Sequence, residues 1–293
     1  MKNLFFIIFL SISIHGYSQS VFLIKEPIRF SHHQPGKTAL NHLLTEAKWK
    51  ELFPNRYGRG ERSLKTKVAD FYSFKSFLAA VRFFPDFLSG NEGTQKRELA
   101  AFLANVAQET SGGWAEAPGG YFKWGLYYLE EMEDSTKNKY ADYTKINYMP
   151  VPGKSYCGRG PKQLSWNYNY GQFSEAWYGT KDSLLLHPER LAHDPVLSFA
   201  SAIWFWMTPQ FPKPSCHDIM TGNWKPTSND LINGRVPGFG ATVNVINGGI
   251  ECGTSHELEK TTFRYKYYQF FCNYFRVSPG ENINCSSQKP FGQ

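Results

Sequence analysis

One mostly α-helical domain carrying a loop-lined cleft is the fold class that this sequence predicts. Three observations point to it. Several segments place apolar residues at i, i+3, i+4 and i+7, the spacing of one helix face. Residues 112–165 are dense in Gly, Pro, Tyr and Asn and read as long loop, the kind of segment that carries function in exported domains. No internal repeat, low-complexity linker or abrupt shift in composition divides the chain.

The elements follow in order. Residues 1–20 read as a secretory signal peptide. Lys2 supplies a positive start, residues 4–14 form a short apolar run, and small-x-small patterns end at Ser18 and Ser20. That run is too short for a good membrane span. Residues 21–39 are a poorly ordered approach segment, and the domain occupies 40–293. Residues 40–53 have helical spacing and stop at Pro54; 55–63 form a loop rich in Gly and Arg. Residues 71–87 alternate aromatic and small residues with helical periodicity, up to Ser89-Gly90. A helix through Leu99, Phe102, Leu103 and Val106 stops at Gly112-Gly113. Pro195 is a suitable first residue for a buried helix to Thr208. Residues 242–246 lead into an Asn247-Gly-Gly turn, and 257–275 form a last, aromatic-rich helix.

Composition narrows the function. The net charge is +7, but no run of five like charges occurs, which argues against nucleic acid. The many aromatic residues support a sizeable core and leave flat surfaces for sugar stacking. The five cysteines are an odd number for an oxidising compartment, so at least one is free or paired between chains. There is no CxxC and no HExxH, and Gly158-Arg-Gly-Pro161 fits neither the Rossmann nor the P-loop pattern. No metal and no cofactor is expected.

Glu109 carries the most information. It lies seven residues beyond Phe102, so it extends the inward row of its helix to the C-terminal end. Helix dipole and burial there both disfavour a charged carboxylate, and a protonated carboxyl is what a general acid needs. The competing reading is a structural Glu bonded to an Arg.

Seven segments in order resemble glycoside hydrolase family 19 chitinases. They are Glu109-Thr-Ser-Gly-Gly-Trp114; Trp124-Gly125 with Glu131; Gly153 to Ser165 (GKSYCGRGPKQLS); Asn167-Tyr-Asn-Tyr-Gly171; Trp204-Phe-Trp-Met-Thr208; Gly234 to Gly240 (GRVPGFG); and Ile246 to Cys252 (INGGIEC). The resemblance covers residues from about 40 to the C-terminus. It implies a lysozyme-like, two-lobed single domain with a deep substrate cleft. It also implies hydrolysis of β-1,4 bonds between N-acetylglucosamine units with inversion. Such chemistry needs two carboxyls roughly 6.5–9.5 Å apart, one donating a proton and one activating water.

The resemblance places the general acid at Glu109 and the general base at Glu131, with neighbouring Glu130 a competitor. Without it, the pair reads as a solvated acidic turn with Glu133 and Asp134. Ser165 is implied to hold the catalytic water. Gln163, Tyr168, Asn169, Asn247, Trp114 and Lys213 are implied substrate contacts, since N-acetyl sugars offer both an acceptor and a donor. On residues alone, Asn167 to Tyr170 reads as a turn with packed tyrosines, Asn247 as a left-handed turn residue and Lys213 as a solvated loop lysine. Glu251 and Arg264 are implied to form an ion pair behind Glu109, although Arg264 alone reads as a surface charge. Gln108 stands where the family often has His, and Tyr148 where Trp is common. The resemblance pairs Cys252 with Cys285. Two plant-type disulfides lack partners, so the Glu131 loop is expected to be held by packing.

The expectation is a secreted, monomeric endochitinase, extracellular or periplasmic, acting on chitin or chito-oligosaccharides. It has no nucleic acid partner and no membrane association once the signal is removed. The alternatives are a peptidoglycan-type lytic glycosidase of the same fold and a non-catalytic chitin-binding protein.

Overall fold

The structure is a computed structural model that describes residues 38–57, 70–131, 140–253 and 259–292. The expected signal peptide and nearly all of the approach segment lie outside these residues, as do Glu133 and Asp134. Among the described residues no helix is long and apolar enough to cross a membrane. They are mainly helical, as predicted, and pairing of extended backbone is limited to isolated bridges.

Local chemistry sets the helix boundaries. α1 (Leu40–Leu43) and α2 (Glu46–Leu52) are two helices rather than the one expected over 40–53. Thr45 has extended backbone and its hydroxyl accepts from the Lys48 N–H, so it starts a new helix. Ser73 caps α3 (Phe74–Val81), which is shorter than the periodicity over 71–87 suggested. Asn91 caps α4 (Glu92–Thr110), the longest of these helices. α5 (Asn167–Tyr178) corrects the reading of Asn167 to Tyr170 as a turn. The four residues form its first turn, and the helix ends on Gly179 in the left-handed conformation. α6 (Asp182–Leu186) follows. Asp194 then caps α7 (Pro195–Met207), which matches the expected buried helix. Ser215 caps α8 (Cys216–Thr221), and a capping box at Thr227 starts α9 (Ser228–Ile232). α10 (Phe239–Glu251) runs through the expected Asn247 turn with a kink, and α11 (Glu259–Phe275) closes the set.

α4 lies at the centre. From Glu98 to Ala107 every residue is buried, so the apolar stripe read from the sequence is a fully enclosed helix in its middle turns. One side meets an aromatic cluster: Phe77 stacks on Phe102 at 5.9 Å and on Trp49 at 5.1 Å, and Trp206 meets Phe102 edge-on. α11 packs along another side of α4. Burial of this many rings is the main apolar stabilisation of the domain. The fully buried Glu98 is satisfied by Trp206 Nε1, His217 Nδ1 at 2.6 Å and the Leu88 N–H, as a buried carboxylate requires. These contacts tie α4 to α7 and α8.

Candidate active site

Glu109 is the penultimate residue of α4, and its side chain is 16% exposed. Its Oε1 accepts from Arg264 Nη2 at 2.9 Å. Arg264 comes from α11 and is buried. The same guanidinium donates to both oxygens of Glu251, at 2.6 and 3.1 Å, and to Asn105 Oδ1 at 3.0 Å. Asn247 Nδ2 donates to Glu251 Oε1 at 2.9 Å. One buried cation therefore organises α4, α10 and α11 around Glu109. Arg264 is not a surface charge, and Glu109 has the Arg partner of the competing reading while its side chain stays partly open.

Charge explains the arrangement. Burial alone would raise the Glu251 carboxyl, but Arg264, Asn247 and Thr261 outweigh it and hold the group below its ordinary range. Burial works against the Arg264 charge, but Glu109 and Glu251 more than offset it, so the guanidinium stays protonated. Asn247 sits at the kink of α10 with φ −145 and ψ 30, so the left-handed turn expected for it is absent. The kink lets its amide reach back to Glu251 one turn later.

The segment that follows α4 is clipped back onto the end of that helix. Thr110 is buried; its Oγ1 accepts from the Leu126 N–H at 2.7 Å, and its carbonyl accepts from the Tyr128 N–H at 2.8 Å. Gly125 passes so close to α4 that a Cβ there would meet Ala107 Cβ at 2.7 Å. Residues 126–131 therefore leave the Glu109 end of α4 along a fixed path.

That path ends in a small antiparallel ladder. Glu130 bridges Arg159, and Arg159 bridges Leu164. Beside this ladder the Glu131 N–H donates to the Gly158 carbonyl at 2.9 Å. The two carboxylates part here. Glu130 pairs with the buried Arg159 at 3.1 Å. Contacts of Glu131 include Tyr140 Oη, which donates at 3.0 Å, and the Gly158 N–H, which donates at 3.4 Å.

Ser165 lies between two residues with strained backbone. Gln163 (φ 50) and Trp166 (φ 77) both occupy the left-handed region, which costs a non-glycine residue about 1–3 kcal/mol and clusters at functional positions. The Ser165 hydroxyl donates to the Gln163 carbonyl at 2.8 Å, and Asn169 Nδ2 to the Ser165 carbonyl at 2.9 Å. Asn169 Oδ1 and Gln108 Oε1 are buried without hydrogen-bond partners among the described residues.

The remaining candidates stand farther out. Tyr168 and Lys213 line a pocket of about 810 Å³. Lys213 is half-buried and its Nζ donates to the Val245 carbonyl at 3.0 Å, which replaces the solvated lysine of the sequence reading. Trp114 packs against Trp124 at 5.2 Å. Cys252 and Cys285 form the expected disulfide at the end of α10, while Cys157, Cys216 and Cys272 are free and buried. Arg159, Tyr140, Asn105 and Thr110 were missed as site residues. Arg159 alone offered a signal, an arginine inside a glycine-proline run.

Comparison with known proteins identifies the family. A family model described as chitinase class I, glycoside hydrolase family 19, matches residues 49–285. An acidic endochitinase from Populus trichocarpa is 48% identical over 226 residues, 77% of this chain and 64% of that protein. This chain therefore spans slightly under two thirds of that relative's length. An inactive chitinase-like protein from Hevea brasiliensis is 42% identical over 262 residues, 88% of this chain and 79% of its own. The crystal structure of a class IV chitinase from Zea mays superposes with a TM-score of 0.62 at 31% identity, covering 85% of this chain and all of that one. The chain belongs to glycoside hydrolase family 19.

Proposed function

We propose that the protein is a secreted endochitinase that hydrolyses β-1,4 bonds between N-acetylglucosamine units with inversion. The carrying observation is a partly open carboxyl, Glu109, fixed at the end of α4 by a buried cation that it shares with Glu251, with a second carboxyl, Glu131, held by Tyr140 and the Gly158 N–H.

In this reading Glu109 is the general acid. Glu251 takes two of the Arg264 hydrogen bonds and is held ionised. Arg264 donates to the Glu109 Oε1, which leaves Oε2 as the oxygen that faces the leaving glycosidic oxygen in this role. Glu131 is the base: it draws a proton from a water held beside Ser165, and that water attacks the opposite face of the sugar. Glu130 is unsuited to this role because its charge is committed to Arg159. Tyr168, Asn169, Gln163, Asn247 and Lys213 are substrate contacts, and the unpartnered Asn169 Oδ1 suits an acetamido N–H. The domain works as a monomer in the extracellular or periplasmic space.

A second reading is a non-catalytic chitin-binding protein, favoured by the 42% identity to a relative named inactive. Parallel assays on soluble chitin oligomers and on bacterial walls decide between the readings. Cleavage of the oligomers supports the first reading. Binding without cleavage supports the second, and release from walls alone identifies a peptidoglycan-type enzyme.

A further inference from the structure

Phe211 is 92% exposed, the most exposed of the large apolar residues that are described. A single exposed ring is ordinary on a protein surface. Its position and support are what make this one informative. Phe211 forms part of the wall of the 810 Å³ pocket that also holds Tyr168 and Lys213. It lies at the tip of a tight turn in which Gln210 and Lys213 exchange backbone hydrogen bonds at 3.0 and 2.8 Å. Lys213 pegs that turn to α10 through the Val245 carbonyl. The ring is thus presented on a braced support.

Two further features show what fits. Ile146, 80% exposed, adds a second apolar surface to the same pocket. Gln210, also in its wall, has a buried side-chain Nε2 with no hydrogen-bond partner among the described residues. The lining contains Lys145 and Lys213 and no carboxylate. An apolar plane, an apolar side wall, an amide donor and a positive charge balance suit a neutral N-acetylated sugar. The C–H face of the ring would lie on Phe211, the acetamido methyl against Ile146 and its carbonyl toward Gln210. A de-acetylated unit would bring an ammonium group to two lysines.

We propose that Phe211 is a specificity-determining platform that extends the substrate path beyond Tyr168 and Lys213 by one N-acetylglucosaminyl unit, so that the protein prefers long acetylated chains. The inference rests on the chitinase reading and names the substrate class of that site.

The test is calorimetric binding of the chitin dimer and hexamer to the full chain in a Glu109→Gln background, with and without Phe211→Ala. The hexamer should lose about 3–10-fold in affinity, more than the dimer, and Phe211→Trp should restore it. The fully de-acetylated hexamer should bind more weakly than the acetylated one and respond less to Phe211→Ala. An unchanged hexamer-to-dimer ratio overturns the proposal. So does self-association in sedimentation that depends on Phe211 without any chain-length effect, because the ring would then serve a second copy of the chain. The two readings fail separately. If the unmutated protein cleaves oligomers and the ratio does not move, only the platform falls. If the ratio moves and nothing is cleaved, only the hydrolytic assignment falls.

Discussion

The surroundings of Glu109 and Glu131 are built from different elements of the fold. Around Glu109, three helices converge on one buried guanidinium, and the contacts are charge-assisted. Around Glu131, the Gly158 N–H and the Tyr140 hydroxyl donate, and its neighbour Glu130 pairs with the buried Arg159. The contrast teaches that the two carboxyls are positioned independently. One belongs to the core, where its loss disturbs charge balance; the other belongs to a surface ladder, where its loss should be felt in chemistry more than in folding.

The largest effect expected is on the core side. Glu109→Gln keeps the shape of the side chain and the Arg264 contact but removes the transferable proton. Turnover on chitin oligomers should fall by about 10²–10⁴-fold with folding retained. Residual activity above about a tenth would remove Glu109 from the acid role.

On the ladder side, Glu131→Gln should cost about 10²–10⁴-fold as well, with little change in melting temperature. Glu130→Gln should do the reverse. It leaves the buried Arg159 without its carboxylate, so stability drops and turnover changes far less. If the two variants exchange phenotypes, the register of the ladder is misassigned by one residue.

Arg264→Met tests whether the core side is one unit. It strands Glu109 and Glu251 near each other without a cation, and should cost about 3–5 kcal/mol in denaturant unfolding. Its pH dependence carries a sign. Glu251 is held below its ordinary value of 4.5, so its contribution is present above that pH and is lost as pH falls through the lower folded value. The acid-side loss of stability attached to Glu251 should therefore be weaker in Arg264→Met than in the unmutated protein.

A smaller effect attaches to the Cys252–Cys285 bridge, which closes a loop with a sequence separation of 33. Its reduction should cost about 3–4 kcal/mol by loop entropy. Because the bridge follows directly on Glu251, some loss of turnover at elevated temperature should accompany it. Unfolding curves identical with and without reductant would refute a stabilising role.

How much of this was legible in the sequence differs between the two regions. Glu109 could be read from helical periodicity and a glycine stop, and α7 from a proline followed by an apolar run. The family resemblance supplied Glu251 and Arg264, which periodicity could not, because a cation from α11 meets α4 only through tertiary packing. Asn167 to Tyr170 misled because asparagine and tyrosine are poor helix formers, yet all four sit in the first turn of α5, where packing overrides propensity. The Asn247-Gly-Gly triplet carried a strong turn signal, but α10 continues through it with a kink. The ladder was hidden altogether, since three isolated bridged residues leave no alternating pattern.

The central claim is that Glu131 activates water while Glu109 protonates the leaving oxygen, with no covalent intermediate. Proton NMR of a chitin oligomer during the first minutes of cleavage, before mutarotation, tests it most directly. Single displacement predicts that the new reducing end appears as the α-anomer. An initial β-anomer would contradict the account and point to a nucleophile on the enzyme or to participation of the substrate's own acetamido group.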